Sequence, residues 1–161
     1  MYSVNVPVPA DVSRLARGFA SELFDATARD RHTLVVKRFD AIDDHASLAR
    51  RVRTELAGTP PFALRLTGIE AFDPPTTGRG PVVYLAVESP ALLDLHHTLC
   101  DRFGAIEGLE GDEYVPHVTI ARGGDAHRLV GRSVEFEWVA DALIVWSARY
   151  DEPTERISLP V

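Results

Sequence analysis

The side chains best suited to proton transfer at an anionic group lie in one short stretch, residues 113–122. His117 and Thr119 are two residues apart, so in a β-strand they share one face, roughly 6.7 Å apart. Val118 and Ile120 then form the opposite, apolar face, which packs on a core. An imidazole beside a hydroxyl can pass a proton and hold a negatively charged oxygen.

The spacing of His117 and Thr119 is weak evidence by itself. The sequence has six histidines and 18 serines and threonines, so about 0.7 His-x-Ser/Thr pairs are expected by chance. However, His32 lies near the start of a second strand-like stretch, residues 31–39, in the corresponding place of the first half of the chain. Two histidines on comparable strands predict a shared cleft. The simpler alternative is a half-buried strand histidine without a catalytic role.

The bulk composition is that of a globular protein without a broad nucleic-acid surface. With 45% hydrophobic and 25% charged residues, the 161 residues fit one domain. The net charge of −7 argues against nonspecific nucleic-acid binding, which requires a basic face. No apolar run approaches the ~20 residues of a membrane span, and no signal peptide is visible. The single cysteine, Cys100, suits a reducing compartment, so a cytoplasmic location is expected.

Hydrophobic periodicity and turn residues divide the chain into two similar series of elements. Helical spacing with capping residues predicts helices after Pro9, after Asp43 or Asp44, and after Ser89, the last two ending before Gly58 and Gly104. Alternation predicts strands at residues 2–8, 32–39, 62–72, 81–88, 117–122, 134–138, 143–147 and 156–160. The turn-rich segment 73–80 separates the two series. We therefore predict one α+β domain, 1–161, with lobes of about residues 1–77 and 78–161.

Residues 116–122, with the sequence Pro-His-Val-Thr-Ile-Ala-Arg, resemble the second motif of the 2H phosphoesterase superfamily. The resemblance is to its branch of 2′-5′ RNA ligase-like proteins and cyclic phosphodiesterases, and His32, 85 residues before His117, supports it. The resemblance implies a two-lobed fold, in which a pseudo-two-fold pair of antiparallel-sheet α+β halves surrounds a central cleft. It also implies an RNA-processing hydrolase acting on a 2′,3′-cyclic phosphate or a 2′-5′ linkage.

The family pattern, His-x-Thr/Ser, occurs twice in its members, but only the second copy matches here. His32 is followed by Thr33 and Leu34, so the hydroxyl comes one residue early and leucine takes the threonine place. By strand alternation Thr33 points away from the face that holds His32. Either a β-bulge brings Thr33 back, or the site has two histidines and one threonine.

The resemblance assigns His32 and His117 as general acid and base, in either order. Thr119 would then hydrogen-bond a nonbridging phosphate oxygen. The two imidazoles are expected about 6–8 Å apart, with the phosphate between them. Such a reaction needs no metal and no cofactor, and the sequence offers no His-x-x-x-His pair and no dense carboxylate cluster.

Five further residues near the histidines are candidate substrate contacts. Tyr114 could stack on a base, although a core or rim tyrosine is the alternative. Strict alternation turns Arg122 away from His117, so it reaches the cleft only if the strand ends or twists. Lys37 is turned away from His32 in the same sense, and a solvated strand end is its alternative. Thr33 and Leu34 complete the set because they adjoin His32.

Three functions remain open from the sequence. The first is a metal-independent phosphodiesterase, a monomer, that hydrolyses the 2′,3′-cyclic phosphate of an RNA 3′ end or a small cyclic nucleotide. The second is a noncatalytic or weakly active nucleotide- or RNA-end-binding module, which Leu34 in the first motif favours. The third is a structural or regulatory domain with two incidental strand histidines. The physiological substrate and the direction of reaction stay open in all three.

Overall fold

The computed structural model describes residues 1–161 and contains nine β-strands and three α-helices. The strands are β1 (Tyr2–Val6), β2 (Thr27–Ala28), β3 (Leu34–Phe39), β4 (Phe62–Phe72), β5 (Val82–Glu88), β6 (His117–Arg122), β7 (Ser133–Ala140), β8 (Ala142–Ser147) and β9 (Glu152–Ser158). The helices are α1 (Ala10–Ala20), α2 (His45–Glu55) and α3 (Pro90–Phe103), with 3₁₀ turns at Gly111–Glu113 and Ala126–Leu129. None of these helices combines the length and the apolar character that crossing a membrane requires.

Capping residues fix the start of α2 and both ends of α3 where the sequence predicts them. Asp44 and Ser89 each accept hydrogen bonds from backbone N–H groups in the first turn of their helix. Pro90 occupies the first turn of α3, where its missing N–H costs no hydrogen bond. Gly104, at φ 83°, ends the helix in a backbone conformation that other residues rarely adopt.

The strands form two antiparallel sheets, which confirms the α+β class and the two-sheet architecture. One sheet has the order β3-β1-β8-β9 and the other the order β2-β6-β5-β4-β7. The two sheets do not divide the chain at residue 77. The reason is that residues 73–80 form the loop of a hairpin, in which β4 pairs with β5. One domain over residues 1–161, with lobes of about residues 1–77 and 78–161, stays a prediction.

The apolar faces of the strands meet the helices in one continuous core of 32 buried residues. Val118 and Ile120 are fully buried in it, as their alternation predicts. α3 packs on β3 and β4, α1 packs on β6, and α2 packs on β9. These contacts leave the opposite face of β6 to His117 and Thr119, which are only partly buried.

β3 and β6 each contain a β-bulge at the corresponding place. In β3 the extra residue is Val36, whose two neighbours pair with consecutive residues of β1. In β6 the extra residue is Ile120, whose two neighbours pair with consecutive residues of β5. A bulge inserts one residue, so the side chains beyond it change face. The two bulges therefore decide which basic side chains, at the ends of β3 and β6, point away from the core.

Candidate functional site

A cavity of about 400 Å³ lies where β3 of one sheet approaches β6 of the other. This volume falls in the range of small-molecule sites. Both strands line it with residues taken from one face. These residues are Thr33, Val35 and Arg38 from the β3 segment, and His117, Thr119 and Arg122 from β6.

The arginines Arg38 and Arg122 hold equivalent positions in the two strands. Each follows its bulge by two residues, and each lines the cavity. Strict alternation turns Arg122 away from His117, and the bulge at Ile120 reverses that outcome. The β-bulge therefore brings Arg122 to the cavity. From the sequence we expected this only if the strand ended or twisted there.

The positions before the bulges also correspond. Thr33 lies three residues before its bulge, as His117 does, and Val35 lies one residue before, as Thr119 does. The β3 segment thus presents Thr-x-Val where β6 presents His-x-Thr. The cavity therefore contains one imidazole instead of two, with a threonine hydroxyl in the equivalent place.

His32 does not line this cavity, so its placement in a shared cleft is wrong. Both its ring nitrogens are buried, and neither has a hydrogen-bond partner. Burial, followed by the charges of Arg17 and Arg29, lowers the pKa of His32, so the ring is neutral. Alternation is the physical reason, because Thr33 lines the cavity and its two neighbours in the chain therefore take the other face.

Leu34 and Lys37 also lie outside the cavity, which corrects both as substrate contacts. Leu34 is fully buried in the core. Lys37 is 2% exposed, and its Nζ lies 2.6 Å from Glu110 Oε1 and 2.6 Å from the Arg38 carbonyl oxygen. The bulge at Val36 is the reason, because it turns Lys37 inward and Arg38 outward.

His117 has one ring nitrogen available to a ligand. Its Nδ1 lies 2.7 Å from the Val115 carbonyl oxygen, so in the neutral ring Nδ1–H donates there and Nε2 is a proton acceptor. Burial lowers the pKa of His117, and the charges of Arg38 and Arg29 lower it further, against the opposing effect of the Val115 hydrogen bond. Phe72 packs edge-on against the ring at 5.0 Å. His117 is therefore a neutral base near pH 7.

The charged side chains of the cavity are mainly cationic. Arg29, Arg38 and Arg122 line it, against one carboxylate, Glu113. Arg29 and Arg38 use only their backbones in hydrogen bonds within the protein. Arg122 Nη1 donates to two backbone carbonyls of residues 73–80, at 2.8 and 2.9 Å. No group of three or more His, Cys, Asp or Glu side chains is placed to hold a metal ion.

Side chains from α3 and the loop after it hold the bulged segment of β3. His96 Nδ1–H donates to the Val36 carbonyl at 2.6 Å, and the Tyr114 hydroxyl donates to the Val35 carbonyl at 2.8 Å. The Gly111 N–H donates to His96 Nε2 at 2.9 Å, so the ring is held as one neutral tautomer. Tyr114 lines the cavity, and its ring stacks on His96 at a centroid distance of 3.8 Å. Burial raises the pKa of the Tyr114 hydroxyl.

Sequence reasoning missed Arg29 and Phe72 as cavity residues, and it did not assign Arg38 as a substrate contact. A signal for Arg38 was present, because residues 33–38 read Thr-x-Val-x-x-Arg and residues 117–122 read His-x-Thr-x-x-Arg. Arg29 had no such signal, since its place depends on a hydrogen bond from its N–H to the Ile120 carbonyl. The sequence contained no signal for Phe72 either, because its place depends on how the hairpin loop positions the end of β4.

Comparison with known proteins shows the same architecture. A family model described as the 2′-5′ RNA ligase superfamily matches residues 13–152. The solved structure of TT0787 from Thermus thermophilus has a TM-score of 0.76 at 19% identity, covering 98% of this chain and 97% of that one. Escherichia coli LigT complexed with ATP has a TM-score of 0.70 at 16% identity, covering 98% and 96%. LigT complexed with 3′-AMP has a TM-score of 0.66 at 16% identity, covering 99% and 98%. A search of curated proteins gave no significant match.

Proposed function

The chain belongs to the 2′-5′ RNA ligase superfamily, and on that premise we propose that its cavity binds a nucleotide or an RNA end through the phosphate. The observation that carries this proposal is the set of three arginines that line the same cavity as His117. Guanidinium groups bind phosphate oxygens through paired, charge-assisted hydrogen bonds. Structures of LigT with ATP, NADP+ and 3′-AMP support the proposal, because a protein of the same fold holds nucleotides.

The proposed ligand is the phosphate-bearing 3′ end of an RNA or a small nucleotide, bound by a monomer. Net charge supports a terminal contact, because a chain of charge −7 lacks the basic surface that a long nucleic acid needs. Phe72 and Tyr114 line the cavity and offer aromatic rings beside the phosphate-binding groups. Stacking of a terminal base on such rings is sequence-tolerant and contributes about 1–3 kcal/mol.

A second candidate function is slow hydrolysis of a 2′,3′-cyclic phosphate, and the neutral ring of His117 favours it. Nε2 of that ring can take a proton from an attacking water, and Thr119 can donate to a nonbridging oxygen. The paired-histidine mechanism does not fit the site, because Thr33 occupies the place of the second imidazole. One acid or base contributes about 10²–10⁴ in rate, so turnover should be slower by that factor than at a two-histidine site.

The test measures binding and turnover of adenosine 2′,3′-cyclic phosphate by calorimetry and chromatography, with EDTA present. We expect wild type to bind it, His117→Ala to lower any turnover by about 10²-fold or more, and His32→Leu to leave both unchanged. Binding without turnover would keep the first candidate and reject the second. No binding of any nucleotide would reject both.

A gain-of-function variant tests the correspondence of the two lobes. Thr33→His with Val35→Thr places a second His-x-Thr pair at the positions equivalent to His117 and Thr119. We expect turnover of the cyclic phosphate to rise by about 10²-fold, because a second imidazole can protonate the leaving oxygen. The matched control, Leu34→His, adds an imidazole on the opposite face and should not raise turnover. Equal rates for the two variants would contradict the assignment.

A further inference from the structure

The cavity carries more positive charge than is needed to balance the single negative charge of a phosphodiester. A cyclic phosphate has one negative charge, whereas a phosphomonoester carries about −1.5 to −2 at pH 7. Three guanidinium groups face a single carboxylate, that of Glu113, although the chain as a whole is acidic. The positive charge is therefore concentrated in the cavity.

Arg38 is held in place by its backbone, not by its guanidinium group. Glu110 Oε2 accepts the Arg38 N–H at 2.9 Å, and Lys37 Nζ donates to the Arg38 carbonyl at 2.6 Å. Glu110 and Lys37 are themselves almost completely buried. The peptide is thus fixed, while the guanidinium lines the cavity with all its donors available to a ligand.

Arg122 approaches from the other lobe at the equivalent position. Its Nη1 is used by two carbonyls of the 73–80 loop, which fixes the direction of the side chain and leaves its other donors available. Arg29 is a third arginine that lines the cavity, and its charge lowers the pKa of His117. The cavity therefore combines one imidazole with three permanent cations.

We propose, on the basis of the proposed function, that the cavity selects a nucleotide ending in a phosphomonoester dianion over the corresponding cyclic phosphodiester. Arg38 and Arg122 bind the dianion from opposite lobes, and Arg29 adds a third cation. The hydroxyls of Thr33 and Thr119 donate to its remaining oxygens. When water opens a cyclic phosphate here, its oxygen forms a new bond to phosphorus, one bond from phosphorus to a ribose oxygen breaks, and that oxygen takes up a proton. The product is a monoester, so it binds more tightly than the substrate.

The first measurement compares the affinities of adenosine 2′-monophosphate, adenosine 3′-monophosphate and adenosine 2′,3′-cyclic phosphate at pH 8 by calorimetry. One additional charge-assisted hydrogen bond corresponds to about ten- to hundredfold in affinity, and we expect that preference for at least one monoester. Equal or tighter binding of the cyclic phosphate would overturn the inference while leaving the proposed function intact. If none of the three binds, the proposed function itself fails.

Two further ligands identify the source of the dianion. Inorganic phosphate binding as tightly as the monoesters would make free phosphate the ligand, and would overturn the nucleotide part of the inference. Adenosine without phosphate should bind at least tenfold more weakly than the monoesters. Adenosine binding as tightly as they do would overturn the role of the phosphate.

Substitution of Arg38 tests the residue that carries the selectivity. Arg38→Gln should reduce monoester affinity about tenfold or more and cyclic phosphate affinity much less, so that the preference disappears. Arg50→Gln removes the same charge from an exposed position on α2 and should leave the preference unchanged. Arg29→Gln provides a second variant if Arg38→Gln fails to fold. If both variants keep the preference for the monoester, the inference is overturned.

A pH series on wild type needs no substitution. The second pKa of a phosphomonoester is about 6, so at pH 5 the monoester is mostly a monoanion and the preference should collapse. The titratable and charged groups that line the cavity are His117, Tyr114, Glu113 and the three arginines. Protonation of His117 favours both anions alike, so it largely cancels from the ratio of affinities. A preference that persists unchanged at pH 5 would contradict the assignment to the dianion.

Discussion

At the scale of single residues, His32 combines burial with two unpartnered ring nitrogens. A buried polar group without a partner costs about 1–3 kcal/mol, whereas an apolar side chain of similar size makes no such demand. We therefore expect His32→Leu to leave the free energy of unfolding unchanged or to raise it by up to about 2 kcal/mol, measured by urea denaturation. His127→Leu, at an exposed position, is the control and should change stability by no more than about 0.5 kcal/mol. A loss above about 1 kcal/mol for His32→Leu would show that the ring has a partner.

Strand alternation, read from the sequence, predicts which side chains share a face of β6. His117 and Thr119 share a face that lines the cavity, and Val118 and Ile120 share the buried face, as period two predicts. Alternation also correctly places Thr33 and His32 on opposite faces of the strand, but it does not say which of these two residues lines the cavity. A histidine is the more reactive residue, so the sequence favoured His32, while the packing of β3 on α3 exposes the other face.

At the scale of elements, the buried ion pair Lys37–Glu110 ties β3 to the loop after α3. Burial alone would raise the pKa of Glu110, but hydrogen bonds from Lys37, Arg38 and Ile106 outweigh it and lower that pKa. Removing the cation leaves the carboxylate buried without a counter-charge, held only by the N–H groups of Arg38 and Ile106. We expect Lys37→Met to cost about 3–5 kcal/mol in urea denaturation.

The double variant Lys37→Met/Glu110→Gln is the control for that substitution. A neutral side chain at position 110 no longer places an unpaired charge in the interior, so the double variant should recover part of the lost stability. Equal stabilities of the single and double variants would mean that the pair is not electrostatically coupled.

The loop formed by residues 73–80 depends on a glycine beside Arg122. Gly78 has φ 75°, and a Cβ there would overlap Arg122 Nη1. Gly58 has φ 84° with open space around it, so Gly58→Ala introduces the backbone strain without a steric overlap. We expect Gly78→Ala and Gly58→Ala each to lose about 1–2 kcal/mol from that strain.

Only Gly78→Ala should also disturb the cavity, because it displaces the guanidinium of Arg122. We expect trypsin to cleave after Arg79 faster in Gly78→Ala, and nucleotide affinity to fall up to about tenfold, as for one lost charge-assisted hydrogen bond. The same changes in Gly58→Ala would point to general destabilisation instead.

Elements differ in how well sequence predicts them. Asp44, Ser89 and Gly104 are local signals, and the helices begin and end where those signals stand. The bulges at Val36 and Ile120 have no local signal, because an extra residue is defined only by how a partner strand pairs. The orientation of Arg38 and Arg122 depends on those bulges, so most of the fold was predictable, whereas the direction in which these two arginines point was not.

At the scale of the whole molecule, three histidines couple stability to pH. Burial is the main cause that lowers the pKa of His32, His96 and His117. The unfolded chain then binds more protons than the folded one below pH 6.5, so stability is complete above that pH and falls as the pH drops through it. Fully buried His96 accounts for at most about 1.4 kcal/mol per pH unit.

Urea denaturation at pH 7.5, 6.5 and 5.5 checks this dependence. We expect the free energy of unfolding to fall mainly between pH 6.5 and 5.5, and His32→Leu to show a shallower fall. The lowered carboxyl pKa values of Glu110 and Asp125 act in the same direction, but only below about pH 4.5. Constant stability from pH 7.5 to 5.5 would contradict the assignment to histidines.

The strand order β3-β1-β8-β9 has a consequence for synthesis on the ribosome. β1 is made early, yet one of its two neighbours, β8, begins only at Ala142. Until then β1 and β3 form at most a two-stranded ribbon, which is marginally stable, and one edge of β1 stays open to other chains. β1 is thus translated long before it is enclosed, and nascent chains stalled before residue 142 should be a preferred target of chaperones.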